Sequence, residues 1–285
     1  MKKQQWITAG VAIFLVAGLF FLRTTPPKKN GTVAESTHDH ENSNSENSFS
    51  IDSVLTEAKK HLKSDQIARI NSLENSITRG DLKMQQLHIY HQLASFWGDS
   101  TGNFDLFAWY EAEGARLENS EKSLTFAAHL FLDDLQSDDQ FQRKLWKALQ
   151  AKDLFERSLK INPENDSSKV GLGATYLFGN ISATPMEGIL KIREVIEKDS
   201  TNIYAQLMLA KGSLISGQYD KAISRLLLIN RLQANNLEAV LLLADLYERT
   251  GDKDNAVFWY EKSLPLIPQK EMKTAVEKRV QDLRK

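Results

Sequence analysis

The sequence has no cysteine, which excludes disulfide staples, thiolate metal sites and cysteine nucleophiles. Proline (6) and glycine (14) are scarce among the 285 residues, so collagen-like and low-complexity architectures are excluded as well. Neither sign of charge dominates: 36 Lys and Arg face 37 Asp and Glu, and no global field draws in nucleic acid. Nor is a basic module hidden at one end, since Lys2, Lys3, Arg23, Lys28 and Lys29 are opposed by Glu35, Asp39, Glu41 and Glu46 within the first fifty residues. Alternating β-branched runs with hairpin turns are missing, which argues against strands. No Ser-His-Asp set, H-E-x-x-H, phosphate-binding loop or paired-carboxylate pattern is visible. The reading is therefore a non-enzymatic chain without a cofactor. Hydrophobic residues at 41% are enough to build a core.

One long apolar run is present. Trp6 to Leu22 carries no charge and would span roughly 25 Å at about 1.5 Å per residue. That is near the short limit for crossing a bilayer, and Trp6 and Arg23 can settle at the two interfaces. The run ends Phe-Phe-Leu-Arg and is followed by Pro26 and Pro27, without a small-x-small cleavage site. An uncleaved anchor is the preferred reading; a signal peptide and a buried helix are the alternatives. Basic groups are nearly balanced across the run, with Lys2, Lys3 and the amino terminus before it and Arg23, Lys28 and Lys29 after it, and the basic-then-apolar start is what favours an amino terminus in the cytoplasm and the bulk of the chain across the membrane. Residues 24–50 are dominated by Ser, Asn, Thr and charge, as expected of a disordered tether. His38-Asp39-His40-Glu41 within it is read as solvated rather than metal-binding.

From Ile51 onward the period is helical. Ile51, Val54, Leu55, Ala58 and Leu62 share one helix face, and Ile67, Ile70, Leu73 and Ile77 share another. The sequence then repeats. Val240, Leu243, Ala244 and Tyr247 are followed by Gly251, Ala256, Tyr260 and Pro268. Thirty-four residues earlier stand Leu209, Ala210, Gly217, Tyr219, Ala222 and Leu226. A further step back finds Gly188, Ile192 and Val195 on a second helix, whose first helix matches after a two-residue slip (Val170, Gly173, Ala174, Leu177). Another second helix reads Ala151, Phe155, Ser158, Pro163. This pattern resembles the tetratricopeptide repeat.

The resemblance implies an all-α solenoid of stacked antiparallel helix pairs, preceded by one amino-terminal transmembrane helix and a disordered linker. The expected organisation is an anchor over 1–23 (span 6–22), a linker over 24–50, a divergent helical-repeat region over 51–166, repeats over 167–268 and a capping helix over 269–285. Six pairs are expected, with first helices near 51, 82, 120, 167, 201 and 235. Gln140 to Lys160 reads as one elongated helix.

Proteins of this family use the inner, concave face, lined mainly by first helices. The resemblance places Tyr204, Leu207, Lys211, Leu214 and Ile215 there, with Glu238, Leu241, Asp245, Glu248 and Arg249 from the next repeat. Leu207, Lys211, Leu241 and Asp245 stand where some members carry a lysine–asparagine carboxylate clamp, so that clamp is not expected. A groove containing Tyr204, Leu207, Leu214 and Ile215 would accept a helix or an extended peptide. The expected role is a scaffold for a protein or peptide partner, attached to a bacterial inner membrane with the repeats in the periplasm. Similar layouts occur in cytochrome c maturation factors and export-associated chaperone-like proteins, which gives the alternative of an assembly factor. A metal-binding or enzymatic array would rest on His88 and His91, three apart on a helix but without further ligands at recognisable spacing. The aromatic stretch Phe96, Trp97, Phe104, Phe107, Trp109, Tyr110 is read as packing, with a partner patch as the alternative.

Overall fold

The computed structural model describes residues 49–79, 82–181 and 185–285; the run at 6–22 and the tether before Phe49 lie outside the described residues. Among the described residues every regular element is a helix, and none is long and apolar enough to cross a membrane. In chain order they are α1 (Ile51–Lys60), α2 (Ser64–Arg79), α3 (Lys83–Ser95), α4 (Phe104–Glu118), α5 (Glu121–Leu135), α6 (Phe141–Ile161), α7 (Asp166–Phe178), α8 (Met186–Lys198), α9 (Ile203–Ile215), α10 (Tyr219–Leu232), α11 (Leu237–Arg249), α12 (Lys253–Ser263) and α13 (Lys270–Leu283). A π turn, Phe96–Ser100, extends α3, and a 3-10 turn, Leu264–Leu266, follows α12.

The helix starts are written in the local sequence. Asn165, Asn202 and Asn236 each precede a first helix, and their side chains accept from the amides of Ser168, Ala205 and Ala239 at 2.8, 2.9 and 3.0 Å. Each satisfies one of the donors that a helix leaves unpaired at its start. The turns inside the pairs are equally specified. Gly217 (φ 71°) and Gly251 (φ 82°) follow α9 and α11 in the left-handed region, where a side chain is strained although there is room for a Cβ.

Five pairs pack intimately: α3 with α4, α5 with α6, α7 with α8, α9 with α10 and α11 with α12. The sixth expected pair is different. α1 leans on α4 and α2 on α3, while the Lys59–Glu74 ion pair (2.6 Å) joins α1 to α2. α1 contains no fully buried residue, so it rests on the array as a partly covered flap.

Each pair closes on small residues. Ala244 and Ala256 are fully buried, as are Ala210 and Ala222. In the α7–α8 pair both are glycines: a Cβ on Gly188 would approach the Gly173 carbonyl oxygen to 2.3 Å, and one on Gly173 would approach that of Gly188 to 2.6 Å. This corrects the register expected for α7. Gly173, not Ala174, meets the second helix, because residues 179–185 connect this pair where 216–218 and 250–252 serve the later ones. Gly171 is also sterically fixed, since its Cβ would lie 2.2 Å from the Phe155 ring.

Polar contacts join successive layers. Thr125, Ser158 and Ser168 form a triangle of hydroxyls at 2.8–3.0 Å linking α5, α6 and α7. At the α5–α6 turn, Lys147 Nζ, with its side chain 4% exposed, meets Asp138 at 2.7 Å, Asp105 at 3.1 Å and Asp134. Arg143 Nε donates to Asp138 at 2.5 Å. At the far end α13 buries Val276 and Val280 and pairs Arg284 with Glu261 at 2.6 Å, closing the last pair.

Two outcomes test this packing. Gly188→Val should cost about 1–3 kcal/mol through overpacking, read as a lower urea midpoint; an unchanged midpoint would refute the tight crossing. For Asp138, burial alone would raise the carboxyl, but hydrogen bonds from Arg143, Lys147 and the Gln140 amide outweigh it and hold the group well below the usual carboxylate range. Its stabilisation is thus present above about pH 4, the unfolded Asp value, and is lost as pH falls further towards the folded one. Asp138→Asn should cost about 3–5 kcal/mol at neutral pH and progressively less below about pH 4. A pH-independent difference from the parent would contradict the ion network.

Candidate functional site

The inner layer is made of first helices, and it curves tightly. α5 and α9 are separated by α7 in the stack, yet their side chains touch. The His129 ring lies edge-on to Tyr204 at 5.4 Å, and Lys211 Nζ donates to Gln136 Oε1 at 3.1 Å. Starting from the Asn202 cap, residues Tyr204, Leu207, Met208 and Lys211 recur along one stripe of α9 and face this concavity. A cavity of about 460 Å³ opens there, bounded by α5 (Asp133, Gln136), α9 and Glu238 of α11.

Burial shapes the chemistry of the site. The Tyr204 hydroxyl is buried and finds no hydrogen-bond partner among the described residues, and burial also pushes its ionisation well above the ordinary phenol range. His129 donates to or accepts from Ser167 Oγ at 3.0 Å, and its ring packs edge-on against Phe155. Burial lowers its pKa, with the neighbouring Asp133 acting in the opposite sense. A neutral phenol therefore lines the cavity, and the neutral imidazole of His129 packs behind it against the Tyr204 ring. Lys211 and Glu238, paired at 2.5 Å, stand at its rim.

The expected inward residues divide into three groups. Tyr204, Leu207, Lys211 and Glu238 meet at the cavity, while Leu214 and Ile215 line a second cavity at the carboxyl end of α9. Leu241 is half-buried; Asp245 and Arg249 are exposed and lie 3.9 Å apart. Glu248 is the exception. It accepts from Tyr260 Oη at 3.0 Å and Arg279 Nε at 2.9 Å, so it joins α11 to α12 and α13. The capping helix occupies the place where another first helix would stand, and Glu248 answers to it. Leu207, at 7% exposure, is both a core residue and part of the cavity wall. Lys211 is held by Glu238 and Gln136 rather than free.

The α5 contribution was not anticipated. Its signal was available, because Leu124, Ala127, Ala128 and Phe131 repeat the spacing of Val240, Leu243, Ala244 and Tyr247. In that alignment His129 stands where Lys211 and Asp245 stand. His88 and His91, by contrast, are exposed on α3, with His91 Nδ1 3.2 Å from Glu111. No group of three potential metal ligands occurs among the described residues. Of the aromatic stretch, Phe96, Trp97 and Tyr110 are buried, and Trp109 stacks towards Trp146 of α6 at 6.2 Å.

Comparison with known proteins agrees with this architecture. Residues 237–270 match the family model described as tetratricopeptide repeat. Among solved structures, TTC0263, a thermophilic TPR protein of Thermus thermophilus, aligns with TM-score 0.50 and 16% identity over 71% of this chain and 98% of that one. PilW, a type IV pilus biogenesis factor, aligns at 0.48 and 17%, covering 69% and 85%. MamA from Desulfovibrio magneticus RS-1 aligns at 0.42 and 18%, covering 66% and 96%. At 16% identity the TTC0263 alignment shows a shared fold alone. No curated protein sequence matches significantly.

The placement of Leu207 gives a direct test. Leu207→Asp puts a carboxylate into the core and should cost about 3 kcal/mol or more, whereas Ile215→Asp, at an exposed helix end, should stay within about 0.5 kcal/mol. Equal shifts in thermal midpoint for the two variants would contradict the assignment.

Proposed function

From the tetratricopeptide repeat matched by residues 237–270, we propose that this chain is a scaffold that binds a protein or peptide partner on its inner face. The observation that carries the reading is the cavity between α5, α9 and α11, where a buried Tyr204 hydroxyl has no partner of its own among the described residues. A buried hydroxyl without a hydrogen bond is costly, and a guest that supplies an acceptor or donor recovers that cost. The surrounding groups suit recognition rather than bond-breaking: a neutral imidazole bonded to Ser167, a neutral phenol, and a lysine already neutralised by a glutamate. Repeat arrays offer extended inner surfaces for such guests.

The proposal includes a tether. The uncharged run from Trp6 to Leu22 is the anchor, residues 24–50 the spacer, and the array works on the periplasmic side of a bacterial inner membrane. The apolar run and its basic-then-apolar start support this placement, against a near balance of basic groups on its two sides: Lys2, Lys3 and the amino terminus before, Arg23, Lys28 and Lys29 after. Phe49 packs on Trp146 of α6 with ring centroids 4.8 Å apart, so the chain enters the array at a fixed point on the second intimate pair.

Both parts can be tested in cells with the full-length chain. A photo-crosslinking residue at Asp133, Glu238 or Asp245 should capture a common partner that the same residue at exposed Leu190 or Phe258 does not. Equal capture from both sets would remove the inner-face assignment. Alkaline phosphatase fused after Lys285 should be active and a fluorescent protein dark; the reverse result would place the array in the cytoplasm.

A further inference from the structure

The second helix of the α5–α6 pair overshoots. α10 and α12 begin about one turn before Ala222 and Ala256, whereas α6 begins at Phe141, nearly three turns before the matching Ala151. The additional turns carry Lys144 towards the carboxyl ends of α5, α7 and α9. There they help enclose a cavity of about 330 Å³. Its apolar lining includes Leu177, Leu214 and Ile215, the last 73% exposed at the end of α9. Its polar lining includes Gln136, Lys144 and Lys211, and no acidic side chain lines it. Lys211 is shared with the inner-face cavity and already paired with Glu238; Lys144 makes no ion pair or side-chain hydrogen bond among the described residues.

This combination defines a ligand chemistry. An apolar shelf with an unneutralised ammonium beside it and no carboxylate in its walls is complementary to an apolar side chain flanked by an acidic one. We propose that this shelf is a second subsite, which takes a short acidic–apolar peptide segment. A Leu or Phe side chain of the segment covers Leu177, Leu214 and Ile215, and a neighbouring carboxylate meets Lys144. The inference rests on the scaffold reading and adds a place and a partner chemistry to it. The shelf lies at the turn end of the first helices, beside the inner cavity and separated from it by the Gln136–Lys211 bridge. A guest could therefore contact both through one continuous segment.

The test uses the full-length chain and two fluorescein-labelled peptides, Gly-Ser-Glu-Phe-Leu-Glu-Ser-Gly and its charge-reversed form with lysines in place of the glutamates. Fluorescence anisotropy should show the acidic peptide binding at least about tenfold more tightly than the basic one, and weakening as salt rises from about 0.05 to about 0.5 M. Lys144→Glu and Ile215→Asp should each weaken it about tenfold with unchanged circular dichroism, and Lys144→Arg should retain it. Peptide-induced protection from hydrogen exchange should fall on residues 177–180 and 211–215. Binding that ignores peptide charge or both weakening variants, protection confined to the start of α11, or no binding of the acidic peptide overturns the shelf. The scaffold reading is judged separately, by crosslinking from Asp133 and Asp245, neither of which lines the shelf.

Discussion

The array depends on how closely two helices of a pair can approach. At each crossing the side chain has been reduced to a methyl group or removed. Gly173 and Gly188 leave no room for a Cβ, and Ala244 with Ala256 and Ala210 with Ala222 are fully buried. Close approach lets the larger residues around the crossing interlock, with Phe131, Phe155, Leu226 and Ile192 filling the spaces between layers. Because these small residues recur at the repeat interval, successive pairs present matching faces. Stacking follows from that match, and the inner layer of first helices follows from stacking.

The inner face shows how a repeated frame acquires a particular surface. The frame fixes where side chains project, and the inward positions then differ freely: His129 on α5, Lys211 on α9, Asp245 on α11. Tight curvature brings the first and second of these layers within reach across α7. Tyr204 stands in the concavity with the His129 ring packed against it, and Lys211 joins Gln136 to Glu238 at the rim. What remains open is two cavities on either side of a polar bridge rather than an empty trough. The overlong α6 adds a wall to one of them.

Much of this was legible in the residues. Helix period, turn glycines and buried small residues are local signals, so α9 to α13 could be placed closely, and the unbroken pattern after Gln140 announced α6. Three things were not legible. The shift in α7 arises from its longer connection to α8, and a fixed repeat length cannot register an insertion between two helices of a pair. Glu248 is engaged by Tyr260 and by Arg279 of the capping helix, a consequence of being last that its spacing does not announce. The α5–α9 contact joins Gln136 to Lys211 across 75 positions, and depends on the accumulated rotation of three layers, which no local pattern encodes. The asparagine caps at 165, 202 and 236 were a readable signal of the repeat that spacing of apolar residues alone does not use.

That long-range bond adds a link that an ideal solenoid lacks. In an ideal solenoid each layer knows only its neighbours, so ends fray and the loss propagates one layer at a time. Here the lysine of α9 is a strut between the layer of α5 and the layer of α11. Peeling α11 away also removes a carboxylate from that strut, and opening α5 releases its other end. A partly exposed strut of this kind contributes only about 0–1 kcal/mol, so it adds a small link between α5 and α9 to a stack held mainly by its neighbour-to-neighbour faces.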